Sequence, residues 1–256
     1  MLKNYKYILF VIIIILIYLI YCYCHNKNYY QLFYKNRYLL IKDYFTEKEC
    51  NDLLLVINKE LGSTDSEFTW NEKNRKNLRV PLVNETKDII KKVYTDKNLE
   101  KIWKHFTPNT VLAELSIFLS YPGAISQPWH RDVRLEKGYG NMLTIGIALE
   151  DITEDMGPLE LYPKSTKVKD IYLEKNVFND NFLEDINYKK QKMICPKGSL
   201  ILWDSKLIHR GGKNSSSMIR PLFYFSFLEG NKDKPRDATY SLKSIYKENI
   251  YVNKFI

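Results

Sequence analysis

His130 and Asp132 stand two residues apart in the stretch PWHRDV, Pro128 to Val133. In extended backbone, alternate side chains project to the same side, so this spacing presents an imidazole and a carboxylate together. Such a pair is most of a facial triad, a donor set suited to divalent iron with open positions left for reactants. His-Arg-Asp is also how the catalytic loop of a protein kinase begins. Kinase chemistry needs an Asn five residues beyond the Asp to hold magnesium, a Gly-rich phosphate loop upstream and Asp-Phe-Gly downstream. Position 137 is Lys and neither companion motif occurs, which excludes that reading.

A triad needs a second imidazole, and the chain has only four histidines to offer. His25 abuts a long apolar run, and His105 lies in a Lys-rich segment ahead of the strands. His209, in LWDSKLIHRGG, follows a hydrophobic strand and is the candidate third ligand. Oxygen activation at such an iron commonly draws electrons from a 2-oxo acid, whose distal carboxylate needs a fixed bidentate cation. The planar fork of Arg serves this better than Lys. Arg220, at the start of the next apolar strand, meets the requirement.

The elements that must position these residues are legible as two periods. RYLLIKDYFTEKECNDLLLVINKEL predicts a short strand, a turn and a helix, with Thr46 and Glu49 as a capping box. Leu53, Leu54, Ile57 and Leu61 recur there at helical spacing. From about residue 110 the period becomes two. Val111, Ala113, Leu115, Ile117 and Leu119 share one face, and Glu114, Ser116 and Ser120 the other. Leu143, Ile145, Ile147 and Leu149 alternate in the same way with the smaller Thr144, Gly146 and Ala148. GSLILWD (198–204) and PLFYFSFLE (221–229) are further strands. Small or polar residues along one face of several strands suit two sheets with a partly open interior. The fold class is therefore mainly β with flanking α: a double-stranded β-helix (jelly-roll, cupin-like) core backed by N-terminal helices.

Four stretches, in order, resemble the phytanoyl-CoA dioxygenase family of iron(II)- and 2-oxoglutarate-dependent oxygenases. YLLIKDYFTEKECNDLL is similar to its opening strand and helix, and PWHRD to its first two iron ligands. MGPLELYPKSTK resembles its Gly-Pro-Leu turn, and GSLILWDSKLIHRGGKNSSSMIR its segment from third ligand to arginine. The resemblance implies iron(II) held by His130, Asp132 and His209, with 2-oxoglutarate and dioxygen as cosubstrates and Arg220 on the oxo acid's far carboxylate. Succinate and carbon dioxide would be released as an unactivated C–H bond is hydroxylated. Related halogenases carry a small residue in place of the carboxylate, so the resemblance makes Asp132 favour hydroxylation over halogenation. Gly211 stands where many members have a Ser near the oxoglutarate, and Thr144 or Ser226 is the expected substitute hydroxyl. Trp129 and Trp203 flank ligands and are expected either to shape the pocket or simply to pack.

Composition bounds the setting. The formal charge of +9 comes from Lys scattered among Asp and Glu, without the paired basic and aromatic residues of a nucleic-acid surface, so nucleic acid is not an expected partner. From Ile8 to Cys24 the chain carries no charge. At about 1.5 Å per residue this run reaches the short end of what spans a bilayer, and no small-residue cleavage site follows it. One transmembrane helix is therefore expected at 8–24 after a short tail (1–7), followed by a juxtamembrane linker (25–36), the oxygenase domain (37–230) and a packed C-terminal tail (231–256). That arrangement predicts a single-pass membrane localisation, on a side that the flanking charges leave open, and a lipid-like, acyl or other small-molecule substrate. The alternatives are a catalytically inactive jelly-roll scaffold tethered to a membrane, and an oxygenase acting on protein or nucleic acid. Cys50 and Cys195 are either one disulfide or two buried thiols, and Asn84 and Asn214 match the glycosylation sequon.

Overall fold

A computed structural model describes residues 28–135, 139–169, 178, 188–230, 242–244, 246 and 249–255. In chain order the elements are α1 (Tyr29–Asn36), β1 (Tyr38–Ile41), α2 (Glu47–Leu61), β2 (Phe68–Glu72), β3 (Arg75–Arg79), α3 (Asn84–Thr95) and α4 (Glu100–Phe106). There follow β4 (Val111–Ser120), β5 (Met142–Ala148), β6 (Leu159–Leu161), β7 (Gln191–Lys192), β8 (Leu200–Asp204), β9 (His209–Gly211), β10 (Arg220–Leu228) and β11 (Ile250–Tyr251).

The strands form two antiparallel sheets. The larger runs β1-β8-β5-β10-β4-β3-β2, with β11 also paired to β4; the smaller runs β7-β6-β9. Period-two alternation splits the larger sheet into two unlike faces. Leu115, Ile117, Leu143, Ile145, Ile147, Leu202, Phe223 and Phe225 pack on one side with Leu53, Ile57, Ile90, Val93 and Trp103 from the helices. Ala148, Ile201, Trp203 and Leu222 look the other way, toward Leu159 and Leu161 of the smaller sheet. The helices thus seal one face, and the opening between the sheets is left for chemistry. This is the double-sheet β core with N-terminal helices that the strand periods predict.

Local signals act as expected at α2. Thr46 Oγ1 accepts from the Glu49 amide, and the Thr46 amide donates in return to the Glu49 carboxylate at 2.7 Å. Both otherwise lack intrahelical partners, so the pair defines the helix start. One local feature is not visible in the alternation. Ser226 pairs with Glu114, but Phe227 pairs with Leu112, so Ala113 is an extra residue in β4. This bulge reverses the faces before it: Leu112 joins the helix-side core, while Ala113 packs with Val133, Met142 and Leu228. The face assigned to Ala113 from the sequence is corrected accordingly.

The transmembrane helix and the single-pass localisation built on it are also corrected. No helix among the described residues is long and apolar enough to cross a membrane. The described helices are amphipathic, laying one apolar stripe on the sheet, whereas a span needs about 20 consecutive apolar residues. The run 8–24 lies outside the described residues. Within the expected linker, Tyr29–Asn36 is helical and buries Phe33, so this stretch packs with the domain. Cys50 and Cys195 are free, buried thiols. Asn214 is buried, and its amide donates to the carbonyls of Ser120 and Met218 at 2.9 Å, as a turn residue would.

Candidate iron and oxoglutarate site

The residues singled out by spacing meet between the sheets. His130 and Asp132 lie in the segment after β4, outside any regular strand, and His209 opens β9. Backbone hydrogen bonds lock the two segments together: the His130 amide donates to His209 at 3.0 Å, and the His209 amide returns the bond at 2.9 Å. The Asp132 amide donates to the Ser205 carbonyl at 3.0 Å, tying the same segment to the turn after β8. These ties bring the two imidazole rings to 4.5 Å between centroids. Asp132 Oδ1 lies 3.8 Å from His130 Nε2, and Asp132 Oδ2 lies 3.5 Å from His209 Nε2. One donor atom from each residue falls within 4.8 Å of the others, close enough for a single ion.

Ring orientation is set by the backbone at both histidines. His130 Nδ1 is 2.8 Å from the Pro128 carbonyl, and His209 Nδ1 is 2.9 Å from the Leu207 carbonyl. A carbonyl can only accept, so each Nδ1 carries a proton, and each Nε2 is the nitrogen that faces Asp132. The two imidazoles differ: burial lowers His209, but the Asp132 charge and the hydrogen bonds to Asp132 and the Leu207 carbonyl outweigh it and raise this ring. Burial, followed by the neighbouring His209, depresses His130 and keeps it neutral. Burial alone would raise Asp132, but the two imidazoles outweigh it and hold the carboxylate below its usual range.

These residues line a cavity of about 340 Å³. Arg220 reaches it from β10, only 2% exposed, with Nη1 donating to the Gly157 carbonyl and Nε without a partner among the described residues. Burial, and then the charge of Arg75, push this guanidinium down to about 9. A buried cation without a carboxylate to answer it is what an incoming anion requires.

Thr144 also lines the cavity, but its hydroxyl is engaged with Ser205 Oγ at 2.8 Å. Ser226 is fully buried; it donates to Glu114 and lies 3.2 Å from Thr144 Oγ1. Both hydroxyls therefore belong to a chain leading to Glu114, whose carboxyl is pushed up by burial and by the Asp132 charge. Trp203 lines the cavity beside His209, while Trp129 packs under Arg210 and against Tyr162. Arg131, between the two ligand candidates, is buried and donates to the carbonyls of Ser165 and Val168.

The wall also includes Asn77, Glu114, Gln127 and Tyr224, which the sequence did not single out as site residues. Asn77 donates to the Tyr224 hydroxyl at 2.7 Å, and Gln127 accepts from the Gly211 amide at 2.8 Å. Glu114 alone left a signal, as an acid on an otherwise buried strand.

Two antiparallel sheets enclosing two imidazoles, a carboxylate and a buried arginine define the class of non-haem iron, 2-oxo-acid-dependent oxygenases. Residues 33–222 match the phytanoyl-CoA dioxygenase (PhyH) family, and the chain belongs to it. It is an iron(II)- and 2-oxoglutarate-dependent enzyme that consumes dioxygen. Solved structures agree in fold. The α-ketoglutarate-dependent carbocyclase SnoK from nogalamycin biosynthesis superposes with a TM-score of 0.64 at 13% identity, over 80% of this chain and 84% of its own. The epimerase SnoN, in complex with Fe3+, α-ketoglutarate and nogalamycin RO, gives 0.63 at 13% identity, over 81% and 84%. HygX from Streptomyces hygroscopicus, with nickel, 2-oxoglutarate and hygromycin B bound, gives 0.58 at 9% identity, over 90% and 99%. No curated protein sequence matches the chain.

Proposed function

We propose that this protein hydroxylates an unactivated C–H bond of a small molecule, with His130, Asp132 and His209 as the iron ligands and Arg220 on the distal carboxylate of 2-oxoglutarate. The observation that carries the assignment is the convergence of both Nε2 atoms on Asp132, each imidazole fixed by a carbonyl on its far nitrogen. When bound, the iron with 2-oxoglutarate and dioxygen supplies the oxidising power, releasing succinate and carbon dioxide. The chain's own residues position and exclude. His209 is buried; His130 and Asp132 keep only 28% and 27% of their side chains exposed. This partial cover limits the access of bulk water to the ligand atoms. Asp132 supplies the one carboxylate of the triad, which favours hydroxylation over delivery of another ligand from that site.

Small-molecule specificity is supported by the walls. Trp70, Phe118, Leu159 and Leu222 offer apolar surface, while Asn77, Gln127 and Tyr224 supply a few oriented polar groups. That mixture suits a compact substrate with limited hydrogen-bonding capacity. SnoN and HygX were solved with nogalamycin RO and hygromycin B, both small molecules.

The test is anaerobic binding of iron(II) and 2-oxoglutarate to the purified protein, followed by a succinate-release screen over acyl, amino-acid and other small-molecule pools. The His130→Ala variant is expected to lose turnover entirely. Full activity in that variant would sink the assignment.

A further inference from the structure

The cavity side of the larger sheet carries opposite charges at its two ends. Along β10 the inward face runs from Arg220 through Leu222 and Tyr224 to Ser226. Six residues at about 3.3 Å each set the first and last of these roughly 20 Å apart. Residues directly opposite one another across a sheet share a face. At the first end Arg220 pairs with Ser120, and Ser120 with Arg75, so two guanidiniums are buried there. At the other end Ser226 pairs with Glu114 of β4 and with Thr144 of β5, and Thr144 pairs with Trp203 of β8. All four are buried, and Glu114, Thr144 and Trp203 line the cavity. The ligand segment sits beside this second row: the Asp132 amide donates to the Ser205 carbonyl, and the Ser205 hydroxyl meets Thr144 at 2.8 Å.

Glu114 is held in that row by one oxygen only. Ser226 donates to Glu114 Oε2, which uses the one hydroxyl proton of Ser226. Ser226 can then only accept from Thr144, at 3.2 Å, and Thr144 in turn from Ser205. Every proton of the chain runs toward Glu114, an arrangement that favours its ionised form. Oε1 has no partner among the described residues, and it is the oxygen that the cavity wall offers to a ligand. No cation among the described residues answers the carboxylate: burial, and then the Asp132 charge, push it up to about 8. Both nearby imidazoles are engaged, since each Nε2 faces Asp132. Nor is Glu114 one of the converging metal donors, which are His130, Asp132 and His209.

We infer that Glu114 anchors the substrate, and that the substrate is a small molecule bearing a protonated amine whose N–H group donates to Glu114 Oε1. This rests on the reading of the cavity as the oxygenase site and names the class of molecule it takes. A buried carboxylate needs a counter-charge, and an ammonium group entering the cavity supplies the one that the protein lacks. The chemistry of the cation follows from the single free oxygen. A guanidinium is a fork that matches both oxygens of a carboxylate, and Ser226 already holds one. A quaternary ammonium has no N–H to donate. A primary ammonium is a compact point charge with rotatable donors and needs only one acceptor. Held at Glu114, it places the rest of the molecule next to the ligand segment, at the end of the sheet away from Arg220.

Calorimetric titration tests this without turnover. The nickel-loaded protein, saturated with 2-oxoglutarate, is titrated at neutral pH with three probes of equal chain length: hexylamine, hexanol and hexanoate. Wild type is expected to bind hexylamine about tenfold or more tightly than hexanol, the scale of one charge-assisted hydrogen bond, and to bind hexanoate most weakly. Glu114→Gln keeps the shape and removes the charge. It should bring hexylamine down to the level of hexanol while leaving the affinity for 2-oxoglutarate unchanged. Glu114→Met is read in its place if the Gln variant does not fold. Equal binding of amine and alcohol by wild type, or a preference for the amine that survives in Glu114→Gln, would overturn the inference and leave Glu114 as the end of a structural hydroxyl chain. The titration with 2-oxoglutarate that precedes the probes separates the two levels. If wild type does not bind the oxo acid, the reading of the oxygenase site fails and the anchor with it. If it binds the oxo acid and shows no preference for the amine, only the role of Glu114 fails.

Discussion

Replacing Arg220 by Met should make the ligand-free protein more stable while removing its response to 2-oxoglutarate. Arg220 is 2% exposed, faces no carboxylate among the described residues, and keeps a second cation, Arg75, as its nearest charged influence. A guanidinium stays charged in proteins, so its depressed value expresses the cost of holding that charge in place. The fall from 12.5 to about 9 corresponds to about 5 kcal/mol. Against this stands the hydrogen bond from Nη1 to the Gly157 carbonyl, worth about 1.5–3 kcal/mol for a charged donor. Met is unbranched and flexible enough to fill most of the vacated volume. The balance is a gain of about 2–3 kcal/mol, or roughly 4–12 °C in Tm for a domain of this size. Thermal unfolding of the nickel-loaded protein, with and without 2-oxoglutarate, reads both effects. Wild type should rise by several degrees at saturating oxo acid, since a ligand at about 100 times its Kd adds about 2.7 kcal/mol. The variant should start higher and not move. A variant that is less stable than wild type without ligand, or that still rises with 2-oxoglutarate, would refute the reasoning.

Two further expectations concern the frame around the site. Asp204, at the end of β8, is buried and pushed up to about 6 by burial, despite the Lys206 amide and Arg37. Its folded-state value lies above the unfolded 3.8, so the ionised form carries a penalty of about 3 kcal/mol that is complete above pH 6 and vanishes below 3.8. Asp204→Asn should therefore be neutral to stabilising in urea unfolding at pH 7.5, with an advantage that shrinks as pH falls from 6 toward 3.8; a loss of the same size at every pH would contradict this. Trp103 is 1% exposed, stacks on Tyr94 at 6.0 Å and meets Phe227 edge-on at 5.9 Å. Trp103→Ala should cost about 3–5 kcal/mol in the same assay, and the folded fraction should still bind metal, because this packing lies on the helix side of the sheet.

The chemistry was largely legible because it rests on scarce residues in simple local patterns. With four histidines in the chain, one beside an Asp and one after an apolar strand, few metal sites could be written. Alternation placed the small and polar residues of β4 and β5 on the inward face, and one capping box marked the start of α2. The anchor expectation came from an uncharged run and the lack of a cleavage site after it, local features that do not establish a span. Other features were beyond local reading for a geometric reason. The bulge at Ala113 exists only as a mismatch between β4 and β10, since neither strand shows an extra residue by itself.

Arg75 is the clearest case of what the chain pattern could not reveal. In NEKNRKNLRV it is one cation among several in a charged hairpin, with nothing to separate it from its neighbours. Strand register alone sets it opposite Ser120 and in line with Arg220. The sequence by itself determined which donors could hold an iron, because ligand chemistry belongs to residue type and short-range spacing. Tertiary structure decided which charges are buried together around them, because desolvation and cross-strand neighbours arise only when distant segments pack.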